Sequence, residues 1–355
     1  MSKLKAGILG ATGMVGQRFV QLLLKHPWFE ISVLAASKRS AGKTFEDAIE
    51  GKKFLKNEAV PESVWQKKIL DIERDAKKIV SQCDFVFCAV EMPKEGIKNL
   101  EDYYAKLECP VISNNSAHRF TSDVPMVIPE INPEHIKVIE FQKKRLGTKR
   151  GFVAVKPNCS LQCFLPALHP LKEFGIESLV VCTYQSISGA GKTMSSFPQI
   201  IDNVIPFIKA EEEKTELEPL KIWGKILQGK IVSSDLPKIS AQCSRVPVSD
   251  GHMAVVFANF SKEIPLEEVI YRWDNFNYER LPSSPKKLIM YLSEEDRPQT
   301  NLDRDRDSGM GVTVGRLRRD SQFCIKFVCV SHNTLRGAAG GSVLLAELLT
   351  KYGFL

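Results

Sequence analysis

Short apolar runs alternate with amphipathic stretches through the first part of the chain. Lys5–Leu9, Glu30–Ala36, Asp84–Val90 and Pro110–Ser113 are strand-sized. Between the first two, Val15, Phe19, Val20, Leu22 and Leu23 recur at helical spacing, which predicts a helix over Val15–Lys25. Strands separated by helices pair in parallel through right-handed crossovers, so a doubly wound sheet is expected here. Arg39–Asp71 is polar and poor in pattern and reads as loop excursions.

The texture changes near Gly147-Thr148-Lys149-Arg150-Gly151, a basic, glycine-bearing approach to a boundary. Longer alternating runs follow at Ser178–Ser186, Ile239–Val246, His252–Phe260, Gly311–Leu317 and Gln322–Ser331. Alternation suits a mostly antiparallel sheet with one covered face. Leu161–Phe174 reads as a helix despite Pro166, and Leu335–Tyr352 as a closing helix of small and apolar residues. The fold class expected is α/β: a Rossmann-like doubly wound parallel sheet plus an α+β domain with a mostly antiparallel sheet.

Gly10-Ala11-Thr12-Gly13-Met14-Val15-Gly16 joins the first strand to the first helix. Glycines there let the backbone turn sharply and approach a pyrophosphate at the helix N-terminus. The spacing is GxxGxxG, and a ligand-free glycine turn is the competing reading. The second strand runs into Ala35-Ala36-Ser37-Lys38-Arg39-Ser40, where an NAD enzyme usually carries Asp or Glu for the ribose hydroxyl. Hydroxyls and a guanidinium suit a 2′-phosphate instead. NADP is therefore the expected cofactor, with Ser37, Arg39 and Ser40 as contacts; a solvated loop is the alternative.

Composition narrows the class. The 355 residues allow two ordinary domains, no apolar run is long enough to span a bilayer, and no signal peptide is evident. The formal charge of +7 is spread among acidic residues, so neither a nucleic-acid nor a membrane partner is expected. Nine cysteines with no CxxC pair indicate a reducing cytoplasm and no metal site. One stands apart. Lys156-Pro157-Asn158-Cys159-Ser160 puts Cys159 beside a helix start, where the dipole is expected to lower a thiol pKa. A buried structural cysteine is the plain alternative. Gln185 ends a strand before the small-residue loop Ser188-Gly189-Ala190-Gly191. Arg245 and His252 lie seven residues apart, one suited to a carboxylate and the other to proton transfer.

Gly10–Gly16, Pro157-Asn158-Cys159-Ser160, Gln185 with its Ser-Gly-Ala-Gly loop, and Arg245 to His252 together resemble the aspartate-semialdehyde dehydrogenase family. Asn115–Arg119, Val124–Asn132, Glu211–Lys214 and Asn333–Gly337 extend the likeness along essentially the whole chain, towards the archaeal and fungal branch. The resemblance implies NADPH-dependent conversion of aspartyl phosphate to aspartate semialdehyde and phosphate, on the route to lysine, methionine and threonine. It implies Cys159 as nucleophile, forming a thioester, His252 as general acid/base and Gln185 as an orienting residue. Arg245 would hold the substrate carboxylate. Arg119 and Lys214, with Asn158, would bind the phosphate. Glu211 would contact the substrate amino group or hold Lys214, with Glu212 and Glu213 as rivals for that place. Asn333 and Ser188–Gly191 would lie at the nicotinamide end. Residues 1–157 would be the NADP-binding domain, with 333–355 packing back onto it, and 158–332 the catalytic and dimerisation domain. A homodimer or homotetramer is implied. Malonyl-coenzyme A reductase, or another acyl-phosphate or acyl-coenzyme A reductase on the same scaffold, is the rival reading.

Overall fold

The computed structural model describes residues 2–51 and 60–355. Six strands form the first sheet: β1 (Leu4–Leu9), β2 (Phe29–Ala36), β3 (Leu70–Asp71), β4 (Phe85–Cys88), β5 (Val111–Ser113) and β6 (Val153–Val155). All pairings are parallel, in the order β3-β2-β1-β4-β5-β6. The order reverses between β1 and β4, leaving a crevice at the carboxyl ends of the strands. Phe85–Cys88, Val111–Ser113 and Val153–Val155 are buried throughout, as parallel strands covered on both faces must be.

The second half contributes β7 (Ile176–Gln185), a hairpin of β8 (Lys225–Leu227) and β9 (Lys230–Val232), β10 (Lys238–Arg245), β11 (His252–Phe260), β12 (Ile289–Leu292), β13 (Val312–Arg319) and β14 (Ile325–Ser331). Six of these form a mixed sheet, β10-β7-β11-β14-β13-β12. Its three central pairings are antiparallel and the one at each edge is parallel. β11 alternates strictly between buried and half-exposed residues, the pattern of a sheet with one face covered.

The helix Met14–Leu23 packs Phe19, Val20 and Leu23 onto one face of the first sheet. The closing helix Gly340–Lys351 packs there too, setting Val343, Leu344, Leu345 and Leu348 in one core with Phe85, Phe87 and Ile112. Each such side chain, fully buried, stabilises by about 1.5–3 kcal/mol. Its entry, Leu335–Ala339, is a π-helical turn rather than plain α-helix. The other face of the sheet shares a continuous buried cluster with the helix Leu161–Leu168 and the inner face of the second sheet. The two halves are thus fused along a seam, and the crevice opens on it.

Arg39–Asp71 is not loop throughout. Residues 52–59 lie outside those described, but short helices at Phe45–Ile49 and Glu62–Trp65 precede β3. Among the described residues no helix is long and apolar enough to cross a membrane.

Candidate active site

The glycine turn divides its labour. At Gly10 the backbone takes φ +89°, and a Cβ would stand 2.2 Å from the Ala89 carbonyl oxygen. At Gly16 a Cβ would stand 2.1 Å from the Gly10 carbonyl oxygen, so this residue lets helix and turn pack closely. Gly13 is different: it is exposed, and the nearest atom to an added Cβ is 3.5 Å away. Gly10 and Ala11 donate to the Ala35 carbonyl, pinning the turn to β2, and Thr12 accepts from the Gln17 side chain. Gly13 precedes Met14 as the helix cap with no side-chain cap bond, so the first-turn N–H groups face outward for an anion. Ser37 and Arg39 are exposed where β2 ends, in a turn closed by Ser40 N–H on the Ser37 carbonyl. The carboxylate across the register, Asp71, is taken up by the N–H groups of Glu73 and Arg74.

A cavity of about 260 Å³ lies in the seam. Val15, Asn333 and Ala338 line it together with Asn114, Arg119, Asn158, Cys159, Glu211 and Lys214, and with Ser188 and Gly189. Ala190 and Gly191 are exposed beyond it. The carboxyl ends of β5 and β6, the π-helical turn and the segment after β7 all converge here. Chain elements almost a hundred residues apart meet at the sulfur: Cys159 Sγ lies 3.3 Å from His252 Nε2.

His252 opens β11 and is wholly buried. The backbone N–H of Ser186 donates to its Nδ1 at 3.1 Å. An amide N–H can only donate, so Nδ1 is bare and the neutral ring carries its proton on Nε2, towards the sulfur. Burial, with Arg245 adding to it, pushes the imidazole down to about 3, so the ring is neutral at ordinary pH.

Cys159 departs from expectation. It sits one residue before the helix cap Ser160, and the Asn158 side chain accepts from Ser160 N–H, which takes up part of the helix start. Cys159 stays partly exposed to the cavity, yet its dense surroundings push the thiol up, and Glu211 adds to this. Lys156, Arg119 and Arg245 pull the other way. The helix start alone does not yield a lowered thiol.

The charges pair off around it. Arg119 donates to Glu218 at 2.8 Å, and Glu218 also accepts from the Asn158 N–H at 2.6 Å. Arg119 Nε and Asn114 Oδ1, on two residues that line the cavity, are buried without a hydrogen-bond partner. Glu211 accepts from Lys214 at 2.7 Å, from Asn158 Nδ2 at 2.9 Å and from Gln185 at 3.1 Å. Burial works against its charge, but Lys214 and these donors hold it below the usual carboxylate range. The geometry separates the three neighbouring acids: Glu212 accepts from Gln242 and Cys243 on β10, and Glu213 is exposed. Gln185 thus reaches Glu211 and Thr183. Arg245 donates to the Ser186 carbonyl at 2.7 Å, and a Cβ on Gly189 would sit 2.9 Å from its Nη1. Asn333 links two segments, accepting from Gly251 N–H and donating to Ser188 Oγ. His118, next to Arg119, and Gln162, three residues after Cys159, are engaged elsewhere, with Thr121 and Arg336.

Glu218, Asn114 and Lys156 were not singled out by sequence. Glu218 looks like one more acid on a charged helix. Lys156 alone carries a signal, as a lysine ending an apolar strand just before the cysteine motif.

Two family profiles match the chain: "Semialdehyde dehydrogenase, NAD binding domain" over residues 5–139 and "Semialdehyde dehydrogenase, dimerisation domain" over residues 168–336. An aspartate-semialdehyde dehydrogenase of Archaeoglobus fulgidus is 44% identical over 97% of both chains. One from Candida albicans is 42% identical over 98% of both. The crystal structure of the Candida albicans enzyme with NADP superposes at a TM-score of 0.89, with 39% identity over all of both chains. A Vibrio cholerae aspartate semialdehyde dehydrogenase II complexed with ASA gives 0.76 at 27% identity over 99% of both.

Proposed function

Because the chain belongs to the aspartate-semialdehyde dehydrogenase family, we propose that its seam cavity turns L-aspartyl 4-phosphate into L-aspartate 4-semialdehyde through a thioester on Cys159. The enzyme is an NADP-dependent oxidoreductase of amino-acid biosynthesis. The observation that carries the residue assignment is the 3.3 Å contact of Cys159 Sγ with His252 Nε2, on a cavity shared by Val15 of the glycine turn and by Arg119 and Lys214.

Cys159, as its thiolate, attacks the acyl carbon, and the carbonyl oxygen becomes an oxyanion near the peptide N–H groups at the helix start. The C–O bond to phosphate breaks and leaves the acyl thioester. Arg119, with its unpartnered Nε, and Lys214 receive the departing phosphate, with Asn158 beside them. Arg245 holds the substrate carboxylate. Glu211, held by Lys214, Asn158 and Gln185, takes the substrate amino group, so Gln185 acts by fixing that carboxylate. Bound NADPH supplies the hydride that the thioester accepts. The resulting alkoxide collapses to aldehyde and expels the thiolate. His252 faces these atoms with Nε2–H, so its expected acid/base work narrows to donating that hydrogen bond to alkoxide and thiolate.

The residues fit the cofactor. Gly13 leaves the approach to the helix N-terminus open for the pyrophosphate, and Gly10–Gly16 shape it. Ser37, Arg39 and Ser40 would take the 2′-phosphate. Asn333, Ser188 and the rest of that small-residue loop would meet the nicotinamide end. We set the boundary of the NADP-binding domain at residue 157 and let residues 333–355 return to it, since the closing helix shares its core with the first sheet.

The match to a dimerisation domain over residues 168–336 supports subunit contacts in the second half, and we assign them to the open face of its sheet. Val180, Cys182, Tyr184, Met253, Val255, Phe257 and Val328 point there, half-exposed or exposed, over three adjacent strands. A second copy of the chain would cover this apolar face, giving a homodimer or a homotetramer built from it. All nine cysteines are free thiols, which suits a reducing cytoplasm.

A reverse assay tests the reading. With aspartate semialdehyde, NADP reduction is expected only when inorganic phosphate is present. Oxidation of NADPH by malonyl-coenzyme A, without activity on aspartate semialdehyde, would assign the chain to the rival acyl-coenzyme A chemistry.

A further inference from the structure

Two lysines are buried near the cavity, and they are buried differently. Lys221 places its Nζ on three backbone carbonyls, those of Arg119, Thr121 and Val124, at 2.7–2.9 Å. Its three hydrogens are all used. Lys156 follows β6 and lines the same cavity as Cys159 at 2% exposure, yet its Nζ has one hydrogen-bond partner among the described residues, the Gly337 carbonyl. Gly337 is also the residue against which the nucleophile packs, since a Cβ there would lie 2.8 Å from Cys159 Cβ. Lys156, Gly337 and Cys159 are therefore contiguous. A buried ammonium with unfilled donors is costly unless an anion faces it.

Which anion follows from the pairing of charges. Around Lys156 stand Arg119, Glu211, Glu218 and Cys159. Arg119 is bound to Glu218, and Glu211 to Lys214. His252 is neutral, and Arg245, bound to the Ser186 carbonyl, is left to the substrate. The unmatched acid is the thiol. We propose that Lys156 is a positioning residue for the reaction, the cation that supports the Cys159 thiolate through its place beside Gly337. This rests on Cys159 being the nucleophile and explains how a thiol raised by its surroundings still ionises. Burial, with Arg119 adding to it, brings Lys156 down to about 7, while Cys159 and Glu218 pull it back up, so the ammonium is kept where the thiolate faces it.

The test is the pH dependence of Cys159 alkylation by iodoacetamide in the full-length enzyme, located by peptide mapping. Lys156→Gln keeps a donor for the Gly337 carbonyl and removes the charge; Lys156→Met removes both. In both variants the alkylation midpoint is expected to rise by about one pH unit, a roughly tenfold slower reaction at neutral pH. If Lys156→Gln alkylates like the unaltered enzyme and only Lys156→Met is slowed, the lysine merely braces the turn and the inference fails. A second reading compares reagents of different charge. The preference of Cys159 for anionic iodoacetate over iodoacetamide at neutral pH is expected to fall several-fold in Lys156→Gln, and an unchanged ratio overturns the inference. Absence of label at Cys159 would overturn the nucleophile assignment as well, whereas a labelled Cys159 with an unmoved profile overturns this inference alone.

Discussion

The two sides of the cavity are built on opposite principles. On the cofactor side, Gly10, Gly13 and Gly16 act through what they lack: two allow backbone to touch backbone, and one leaves the helix end open. On the chemical side the functional groups are side chains, each held by another side chain or by a backbone group. Glu218 holds Arg119 and Asn158, Glu211 holds Lys214, and Ser186 holds His252. The glycine turn arises from seven consecutive residues, whereas the chemical side needs residues from β5 to the π-helical turn to arrive together. Binding on one side is therefore local and separable, while chemistry on the other is collective.

Four substitutions sharpen that contrast. The largest effect falls on the collective side: Cys159→Ser should lower turnover by about 10⁴-fold, since no other group can form the acyl intermediate. NADPH affinity, measured by fluorescence titration, should stay within about twofold, because the glycine turn is untouched. A large loss of affinity would show that the two sides are not separable. Next come two alanines in the same motif. Gly16→Ala forces a Cβ onto the Gly10 carbonyl and should destabilise the fold by about 3 kcal/mol in denaturant unfolding. Gly13→Ala has room, so stability should change by less than about 1 kcal/mol while NADPH binding weakens roughly tenfold. Equal stability losses would refute the division of labour. The smallest effect is at Arg245→Lys, where KM for aspartate semialdehyde should rise by about 10-fold with kcat less affected, because an ammonium cannot form the fork.

The sequence could be read where a pattern is long enough to repeat. β11 runs over His252–Phe260 as its alternation predicts, and the first helix begins within one residue of its apolar stripe. Short elements escape, since Phe45–Ile49 and Glu62–Trp65 hold barely one turn each and β6 only three residues. The π-helical entry to the closing helix has no distinct periodicity to reveal it. In the site, residue types announced chemistry but not pairing. Cys159 and His252 stand out by their motifs, yet only the fold shows that Ser186 sets the ring's tautomer. Glu218 became visible only through its contact with Arg119, 99 positions away. The expected lowering of the thiol failed for the same reason: a helix start is a local feature, and burial is not.

The central claim is an acyl group carried on one sulfur. Mixing the enzyme with aspartate semialdehyde and NADP, without phosphate, and quenching in acid before mass spectrometry tests it directly. One aspartyl group per chain is predicted on the peptide bearing Cys159, disappearing when phosphate is added before the quench. An unmodified Cys159 in enzyme that forms NADPH, or an acyl group on any other residue, would contradict the account.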